Sequence, residues 1–406
     1  MKQLSLYLII LLCGSLALTA CHDDLPEPEP AKPDPWSVVH DKAERTVIVY
    51  MAADNSLNDF ANGDLNEMRQ AAPDIPANVN FIIYLDKQNA KPVIYQLTAQ
   101  EGLTVLKQYD EELNSVDSQT MLQTLRDIEM RFPAEHYAMS FWSHGTGWIP
   151  RKKSFGEDSR VTTAPKEPNK MNIPELASVL GELHQGDNRL EYIFFDACFM
   201  QSIEVAYELR HVTRQVVGSP AEIPGPGAPY KTVVKPMCEG SAEGILYEYD
   251  KGYPLSPYTG VLLSCIDCSK LDELVSITGR YLTPHYMNRT TPADYLCQYF
   301  QPYCTDMSVT THCYDMCTTM YLLLSEEEFT TWMEAFGRAV PVRSISDSNS
   351  WYADYCRPSR VNDPEHYGGV SMFVPKDIYD YSESRWNDSF RETSWYKDAG
   401  WEVTGW

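Results

Sequence analysis

Hydrophobic residues in this chain occur in short runs that alternate with segments of helical periodicity. The apolar runs predict buried strands at residues 45–52, 78–85, 91–96, 137–142, 190–195 and 215–218. Apolar residues at helical spacing predict helices at 118–131, 173–183 and 202–209, and a further helix that opens at 54–58. Strands that alternate with helices indicate an α/β fold with a mainly parallel sheet covered on both faces.

Polar residues at the helix starts supply the predicted caps. Asp54 or Asn55 is expected to cap the first helix, and Ser118 the helix that it begins. No internal repeat and no sharp linker follow residue 44, so we predict one domain over 44–406 with a C-terminal extension from about 245. Within that extension, helices are predicted at 271–280 and 326–339, and strands at 261–268 and 368–375.

The first twenty residues are typical of an export signal. Lys2 precedes an apolar core over 4–18, which is too short to span a membrane comfortably. Cys21 follows Leu-Thr-Ala in the pattern of a bacterial lipobox, which predicts cleavage before Cys21 and lipid on its sulfur. An ordinary secretory signal cleaved after Ala20 is the alternative.

The segment after Cys21 predicts a tether to the outer membrane. His22-Asp23-Asp24 resembles the surface-export signal of Bacteroidetes lipoproteins, so exposure at the cell surface is a further expectation. Within the predicted tether of residues 21–43, the stretch 25–35 is rich in proline and its charged residues are mostly acidic, which is typical of an extended spacer.

Net charge limits the partners. The formal charge of −24 becomes −25 once residues 1–20, with Lys2, are removed. Because phosphate binding needs a basic face, this charge argues against nucleic acid as a partner. It favours cationic ligands, although a solvated acidic surface explains it equally well.

Cysteines are numerous for an exported chain, at 11. Cys265 and Cys268, and Cys313 and Cys317, have spacings that occur in zinc sites, but the first pair also fits a strand entering a helix. We favour one or two disulfides within 297–356 over zinc and predict no metal site.

Two segments carry the candidate chemistry. His144 and Cys198 each follow a predicted buried strand, and the carboxyl ends of parallel strands form the ligand-binding edge of such sheets. A thiol and an imidazole that meet there make a nucleophile with its proton acceptor. The backbone N–H groups of Gly145 and Cys198 could then hold the oxyanion of an acyl-transfer intermediate. No third catalytic carboxylate is evident.

Four motifs resemble the clostripain family of cysteine peptidases, of the caspase-like clan. They are Tyr50-Met-Ala-Ala-Asp-Asn55, Ser143-His-Gly-Thr-Gly-Trp148, Phe195-Asp-Ala-Cys198 and Ser219-Pro-Ala-Glu-Ile-Pro-Gly-Pro-Gly227, and 368–375 is similar as well. The resemblance runs from about residue 44 to the end. It implies a caspase-like three-layer αβα sandwich and a dyad of Cys198 and His144.

The resemblance also implies cleavage after Arg or Lys. The family's acid two positions before the nucleophile corresponds to Asp196, whose carboxylate suits a guanidinium or ammonium group. The chain departs from the family pattern at Pro226, where relatives often carry an acid. Glu222 in the same loop is a second candidate for substrate binding. Basic specificity is therefore either weakened or dependent on Asp196.

The resemblance also implies self-processing, because several members of the family are made as zymogens that cut themselves in the loop after the histidine strand. The matching loop, 150–170, offers basic residues for this: Arg151, Lys152, Lys153, Arg160, Lys166 and Lys170. No cofactor is predicted, but clostripain's calcium dependence leaves calcium open. The alternative function is a catalytically idle or narrowly tuned surface binding lipoprotein on the same fold.

Overall fold

The computed structural model describes residues 34–149, 155–159, 169–253, 260–283, 313–344, 350–351, 359–361, 363–381 and 385–406. Residues from Val38 onward form one compact unit. The predicted signal peptide, Cys21 and most of the tether lie outside the described residues. No helix among the described residues is long and apolar enough to cross a membrane.

Strands supply the centre of the fold. They are β1 (Ala43–Ala53), β2 (Val79–Lys87), β3 (Val93–Thr98), β4 (Gly102–Gln108), β5 (Ala134–Trp142), β6 (Phe155–Asp158), β7 (Asn169–Met171), β8 (Ile193–Asp196), β9 (Gln215–Gly218), β10 (Leu263–Asp267), β11 (Cys313–Asp315), β12 (Val342–Ser344), β13 (Ser350–Trp351), β14 (Ser359–Arg360) and β15 (Ser371–Phe373).

Helices connect and cover these strands. They are α1 (Asn58–Gln70), α2 (Ser118–Arg131), α3 (Ile173–Gly181), α4 (Ile203–Leu209), α5 (Tyr230–Glu239), α6 (Ala242–Gly252), α7 (Leu271–Tyr281), α8 (Met316–Leu323), α9 (Glu326–Ala339), α10 (Ile378–Tyr381), α11 (Trp386–Glu392) and α12 (Ser394–Ala399).

Within the described residues, one sheet of nine strands has the order β12-β10-β9-β8-β5-β1-β2-β3-β4. The central strands β2, β1, β5, β8 and β9 pair in parallel, and antiparallel strands complete both edges. Beside the sheet, α5 contacts both α1 and α6, and α3 contacts both α2 and α4. The predicted αβα sandwich with a mainly parallel sheet is confirmed.

The core explains why the central strands read as unbroken apolar runs. Val47, Val49 and Met51 of β1 are fully buried in a cluster with residues of α1, α5 and α6. The intervening Ile48 and Tyr50 are fully buried as well. Since β1 is covered on both faces, every position from Val47 to Ala53 excludes water.

Helix starts differ from the prediction by small shifts. The N-cap residue of α1 is Leu57, which has no side-chain cap, so neither Asp54 nor Asn55 occupies the predicted position. Asn55 Oδ1 accepts from Leu57 N–H, and its Nδ2 donates to Ala52 O. The cap of α2 is Asp117, which accepts from the backbone N–H groups of its first turn, and not Ser118. The shift at α1 matters for the site described below, because the Asn55 side chain forms hydrogen bonds within the turn between β1 and α1.

The polar segment 150–170 also contains structure that was not predicted. Strands β6 and β7 pair in an antiparallel ribbon, and Gly145 forms a bridge with Phe155. Similarly, β4 pairs with β3 as an unpredicted hairpin. The predicted strand at 368–375 is the short β15, which pairs with β11 and not with the main sheet.

Trp148 ties the segment after β5 to the C-terminal helices. Its ring packs edge-on against Phe373 of β15, with centroids 5.2 Å apart, and lies 5.9 Å from Phe390 of α11. Only 6% of Trp148 is exposed. The C-terminal elements therefore brace the segment that carries His144.

We expect Trp148→Ala to lower the free energy of unfolding by about 3–5 kcal/mol, because it removes a large buried ring from this cluster. Denaturant unfolding measures the change. The matched control is Tyr247→Ala, since 62% of Tyr247 is exposed and its loss should cost less than about 0.5 kcal/mol. Equal losses in the two variants would contradict the bracing role.

Candidate active site

Register brings His144 and Cys198 together. Strands β5 and β8 pair in parallel with Trp142 opposite Asp196. His144 and Cys198 each stand two residues beyond these partners, at the carboxyl edge of the sheet. Parallel strands that end in register deliver their following residues to the same place.

A cavity of about 580 Å³ opens at this edge. Four of the residues predicted for the site line it, namely His144, Cys198, Asp196 and Glu222. The rest of its wall consists of Ser56, Leu57, Phe60, Trp142, Ser143, Ile223, Pro224, Gly225, Pro226, Gly227 and Tyr253. The cavity thus combines a thiol, an imidazole and two acids with a mainly apolar wall.

The His144 imidazole is held by a hydroxyl. Its Nε2 lies 2.8 Å from Ser56 Oγ. Burial lowers the pKa of His144, Glu157 raises it and Lys170 lowers it again. Glu157 and Lys170 form an ion pair with 3.2 Å between Oε2 and Nζ. The imidazole is therefore neutral at pH 7 and able to accept a proton.

The Cys198 thiol lies against the loop that follows β9. Ile223 N–H donates to Sγ at 3.4 Å. Burial raises the pKa of Cys198 to about 12, an effect that the Ile223 N–H opposes and the charges of Glu222 and Asp196 reinforce. The sulfur is thus a protonated thiol in this state of the chain.

Gly145 packs directly on the nucleophile segment. A Cβ at Gly145 would lie 2.4 Å from Cys198 O, so only glycine allows the two backbones to approach this closely. Phe199, directly after Cys198, has a positive φ of 62° and donates its N–H to Ala221 O at 2.9 Å. Glycine at 145 and the turn at 199 together set the backbone around Cys198.

Asp196 lies at the wall of the cavity and is 3% exposed. Ala228 N–H donates to both carboxylate oxygens, at 3.1 and 3.0 Å, and Tyr249 OH donates at 3.2 Å. Burial raises the pKa of Asp196 to about 6 even though these donors lower it. A Cβ at Gly227 would lie 2.7 Å from its Oδ2, so the loop closes over the acid through a glycine.

Sequence reasoning missed two residues next to this site. Ser56 contacts the imidazole, and Asp64 accepts from Trp142 Nε1 at 2.7 Å behind the cavity wall. Burial, reinforced by Asp196, raises the pKa of Asp64 to about 9. Ser56 was accessible to sequence reasoning, because it follows β1, whose carboxyl end lies beside that of β5.

Lys170 is unlike the other predicted cleavage residues. It lies in β7, and its side chain is paired with Glu157. The remaining five, Arg151, Lys152, Lys153, Arg160 and Lys166, lie outside the described residues. Lys170 is therefore a poor protease substrate, since a paired strand must open before a peptidase can cleave it.

Cysteines of the C-terminal part form no metal cluster in the described chain. Cys265, Cys268 and Cys317 are buried free thiols. No group of three or more His, Cys, Asp or Glu side chains among the described residues could hold a metal ion. The predicted disulfides fall largely on Cys297, Cys304 and Cys356, which lie outside the described residues.

The fold and the site define a cysteine hydrolase with a caspase-like sandwich. A sequence model of the clostripain family (peptidase C11) matches residues 49–406. The chain belongs to the clostripain family and is a cysteine peptidase, which confirms the predicted family. Comparison with curated protein sequences gave no significant match.

Solved structures agree with this assignment. A secreted C11 cysteine protease from Bacteroides thetaiotaomicron, in complex with an irreversible peptide inhibitor, is 29% identical over 89% of this chain and 99% of its own, with a TM-score of 0.75. An inactive zymogen C11 protease from Parabacteroides distasonis is 28% identical over the same shares, with a TM-score of 0.73. A secreted C11 cysteine protease from B. thetaiotaomicron named iotapain, 22% identical over 88% of this chain and 99% of its own, shares the fold at a TM-score of 0.72.

We expect Gly145→Ala to reduce peptide hydrolysis by at least about a hundredfold, because the new methyl group would push the Cys198 backbone out of place. Kinetics and the rate of Cys198 alkylation measure the effect. Gly63→Ala is the matched control, since a Cβ there meets nothing within 4 Å in helix α1. Full activity of Gly145→Ala would show that the close backbone approach is dispensable.

Proposed function

We propose that the chain is an endopeptidase that cleaves peptide bonds after Arg or Lys, with Cys198 as nucleophile and His144 as its base. One observation carries the proposal. The register of β5 with β8 places His144 and Cys198 at the same edge of the sheet, and both residues line one cavity together with Asp196. A thiol, a neutral imidazole and a buried acid are the groups that such a reaction needs.

The chemistry follows from these groups. His144 takes the proton from Sγ as the sulfur attacks the scissile carbonyl, and the backbone N–H groups of Gly145 and Cys198 receive the resulting oxyanion. His144 then gives the proton to the leaving amine. Water hydrolyses the remaining thioester and releases the thiol, so the enzyme returns unchanged.

We assign the specificity for basic residues to Asp196, which lines the wall of the cavity. The guanidinium or ammonium of the substrate would pair with Asp196 and gain charge-assisted hydrogen bonds to a carboxylate that is almost fully buried. Glu222 adds negative charge near Cys198. Pro226 brings no charge at the position where relatives often carry an acid, so Asp196 bears most of the selectivity.

Activation and location complete the proposal. The precursor is activated by self-cleavage at one of the five basic residues of 150–170 other than Lys170, a step that the similarity to an inactive zymogen C11 protease supports. The relatives described as secreted, and the Cys21 motif, support export and a lipid anchor in the outer membrane. Calcium dependence stays an open expectation.

Paired peptides test the proposal. Fluorogenic substrates with Arg, Lys, Leu or Asp before the scissile bond are incubated with wild type and with Cys198→Ala, and intact mass is recorded for both. We expect hydrolysis of the Arg and Lys peptides by wild type alone, and a shortened wild-type chain beside an intact variant. Preference for Leu or Asp, or equal rates with Cys198→Ala, would overturn the proposal. No hydrolysis of any peptide, with both chains intact, would favour the idle binding lipoprotein or an uncleaved zymogen that another protease activates.

Selectivity for Arg over its neutral analogue citrulline should depend on pH. Because the pKa of Asp196 is raised to about 6, its carboxyl is neutral below that pH and charged above it. We expect the ratio of kcat/KM for the two peptides to rise by about 10- to 100-fold as the pH passes upward through 6. The ionisation of Cys198 and His144 affects kcat/KM for both peptides equally, so it does not change this ratio. In the Asp196→Asn variant the ratio should not change with pH. A ratio that is independent of pH in wild type would contradict the role of Asp196.

Pro226→Asp should restore the missing charge. We expect kcat/KM for Arg peptides to increase by about tenfold, mainly through a lower KM, because a second carboxylate faces the bound cation. Pro226→Asn is the matched control, since it removes the same ring without adding charge. Equal gains in the two variants would assign the effect to loop flexibility.

A further inference from the structure

Ser56 stands in an ordered turn between β1 and α1. Asn55 Nδ2 donates to Ala52 O at 2.9 Å and to Ser143 Oγ at 3.3 Å, and its Oδ1 accepts from Leu57 N–H at 2.9 Å. Ser143 Oγ in turn donates to Ala52 O at 2.6 Å. The turn is therefore tied to the residue directly before His144.

The same amide also reaches the β6 segment. Asn55 Nδ2 donates to Glu157 O at 2.9 Å, and Gly156 N–H donates to His144 O at 3.0 Å. The backbones of Ser56 and His144 are thus both fixed by neighbouring hydrogen bonds. Their contact, 2.8 Å between Ser56 Oγ and His144 Nε2, joins two positioned groups.

An imidazole has two ring nitrogens, and each can face only one partner. With Nε2 taken by the Ser56 hydroxyl, Nδ1 is the nitrogen that remains for the thiol of Cys198. A base that accepts at Nδ1 must carry its own proton on Nε2, so Nε2–H donates to Ser56 Oγ. This geometry fixes both the tautomer and the orientation of the ring.

Resting on the function proposed above, we propose that Ser56 is the third member of the site, a positioning residue that holds His144 so that Nδ1 is the base for Cys198. During the reaction the proton on Sγ moves to Nδ1, and the imidazolium that forms keeps its Nε2–H bond to Ser56 Oγ. When Nδ1 passes its proton to the leaving amine, the same neutral tautomer returns.

A neutral hydroxyl suits the charges around the pair. Glu157 of β6 and Lys170 of β7 act on His144 with opposite sign, and Glu222 and Asp196 act on Cys198. A carboxylate in place of Ser56 would add negative charge and hold the imidazole in its protonated form. The hydroxyl orients the ring without removing its capacity to accept a proton.

The expected size of the effect is moderate. Ser56 is exposed, so water can take the place of its hydroxyl when it is removed. We expect Ser56→Ala to lower kcat/KM for an Arg peptide by about tenfold, mainly through kcat. Ser56→Thr keeps the hydroxyl and should retain most of the activity. Asp59→Asn, an exposed change in the first turn of α1, is the control.

Two readouts separate positioning from a structural role. In wild-type protein labelled with ¹⁵N-histidine, the signal absent from His144→Ala identifies the ring, and we expect it to carry its proton on Nε2. In Ser56→Ala the signal should shift toward a mixture of tautomers, and the pH profile of Cys198 alkylation should change, while the thermal midpoint stays constant.

Three results would overturn the proposal: a proton on Nδ1 in wild type, unchanged kinetics and tautomer in Ser56→Ala, or a Ser56→Thr as impaired as Ser56→Ala. The tautomer is measured without substrate. A wild type that cleaves no Arg peptide but holds the Nε2–H form would reject the proposed specificity alone, so the two failures are distinguishable.

Discussion

Parallel pairing of β5 with β8 is the constraint on which the site depends. Because Trp142 lies opposite Asp196, the residues two positions further on reach the same edge of the sheet. A shift of register by one residue would point every side chain to the other face and separate the thiol from the imidazole. The buried apolar runs of both strands hold this register, and the close approach of Gly145 to Cys198 holds the turns that follow. The packing of these strands in the core therefore determines the relative positions of His144 and Cys198.

The loop after β9 connects nucleophile and specificity. Its Ile223 N–H contacts the sulfur of Cys198, and five residues later Ala228 N–H contacts the carboxylate of Asp196. One short segment therefore sets both the environment of the thiol and the position of the acid. A movement of this loop would alter the pKa of Cys198 and the pocket together.

Much of this was readable from the sequence, and the reasons for the remainder are physical. Strands buried on both faces give continuous apolar runs, so β1, β5 and β8 were predicted and the residues after them followed. The hairpin partner β4 and the ribbon of β6 and β7 are short and half-polar, and their pairing is set by tertiary contacts. Ser56 was missed because a hydroxyl beside an imidazole does not affect hydrophobic periodicity, and its position directly after β1 was the one signal that could have identified it. The cap of α2 differed by one residue, since Asp117 and Ser118 both suit that position.

Covalent capture is the most direct test of the central claim that Cys198 attacks a bond beside a basic residue. The wild-type chain is treated with peptidyl acyloxymethyl ketones that carry Arg or citrulline next to the warhead, and the labelled residue is located by peptide mapping. We expect the Arg reagent to label Cys198 in preference to the five other described cysteines, all of which are buried, and the citrulline reagent to react far more slowly. Equal labelling by both reagents, or labelling away from Cys198, would contradict the account.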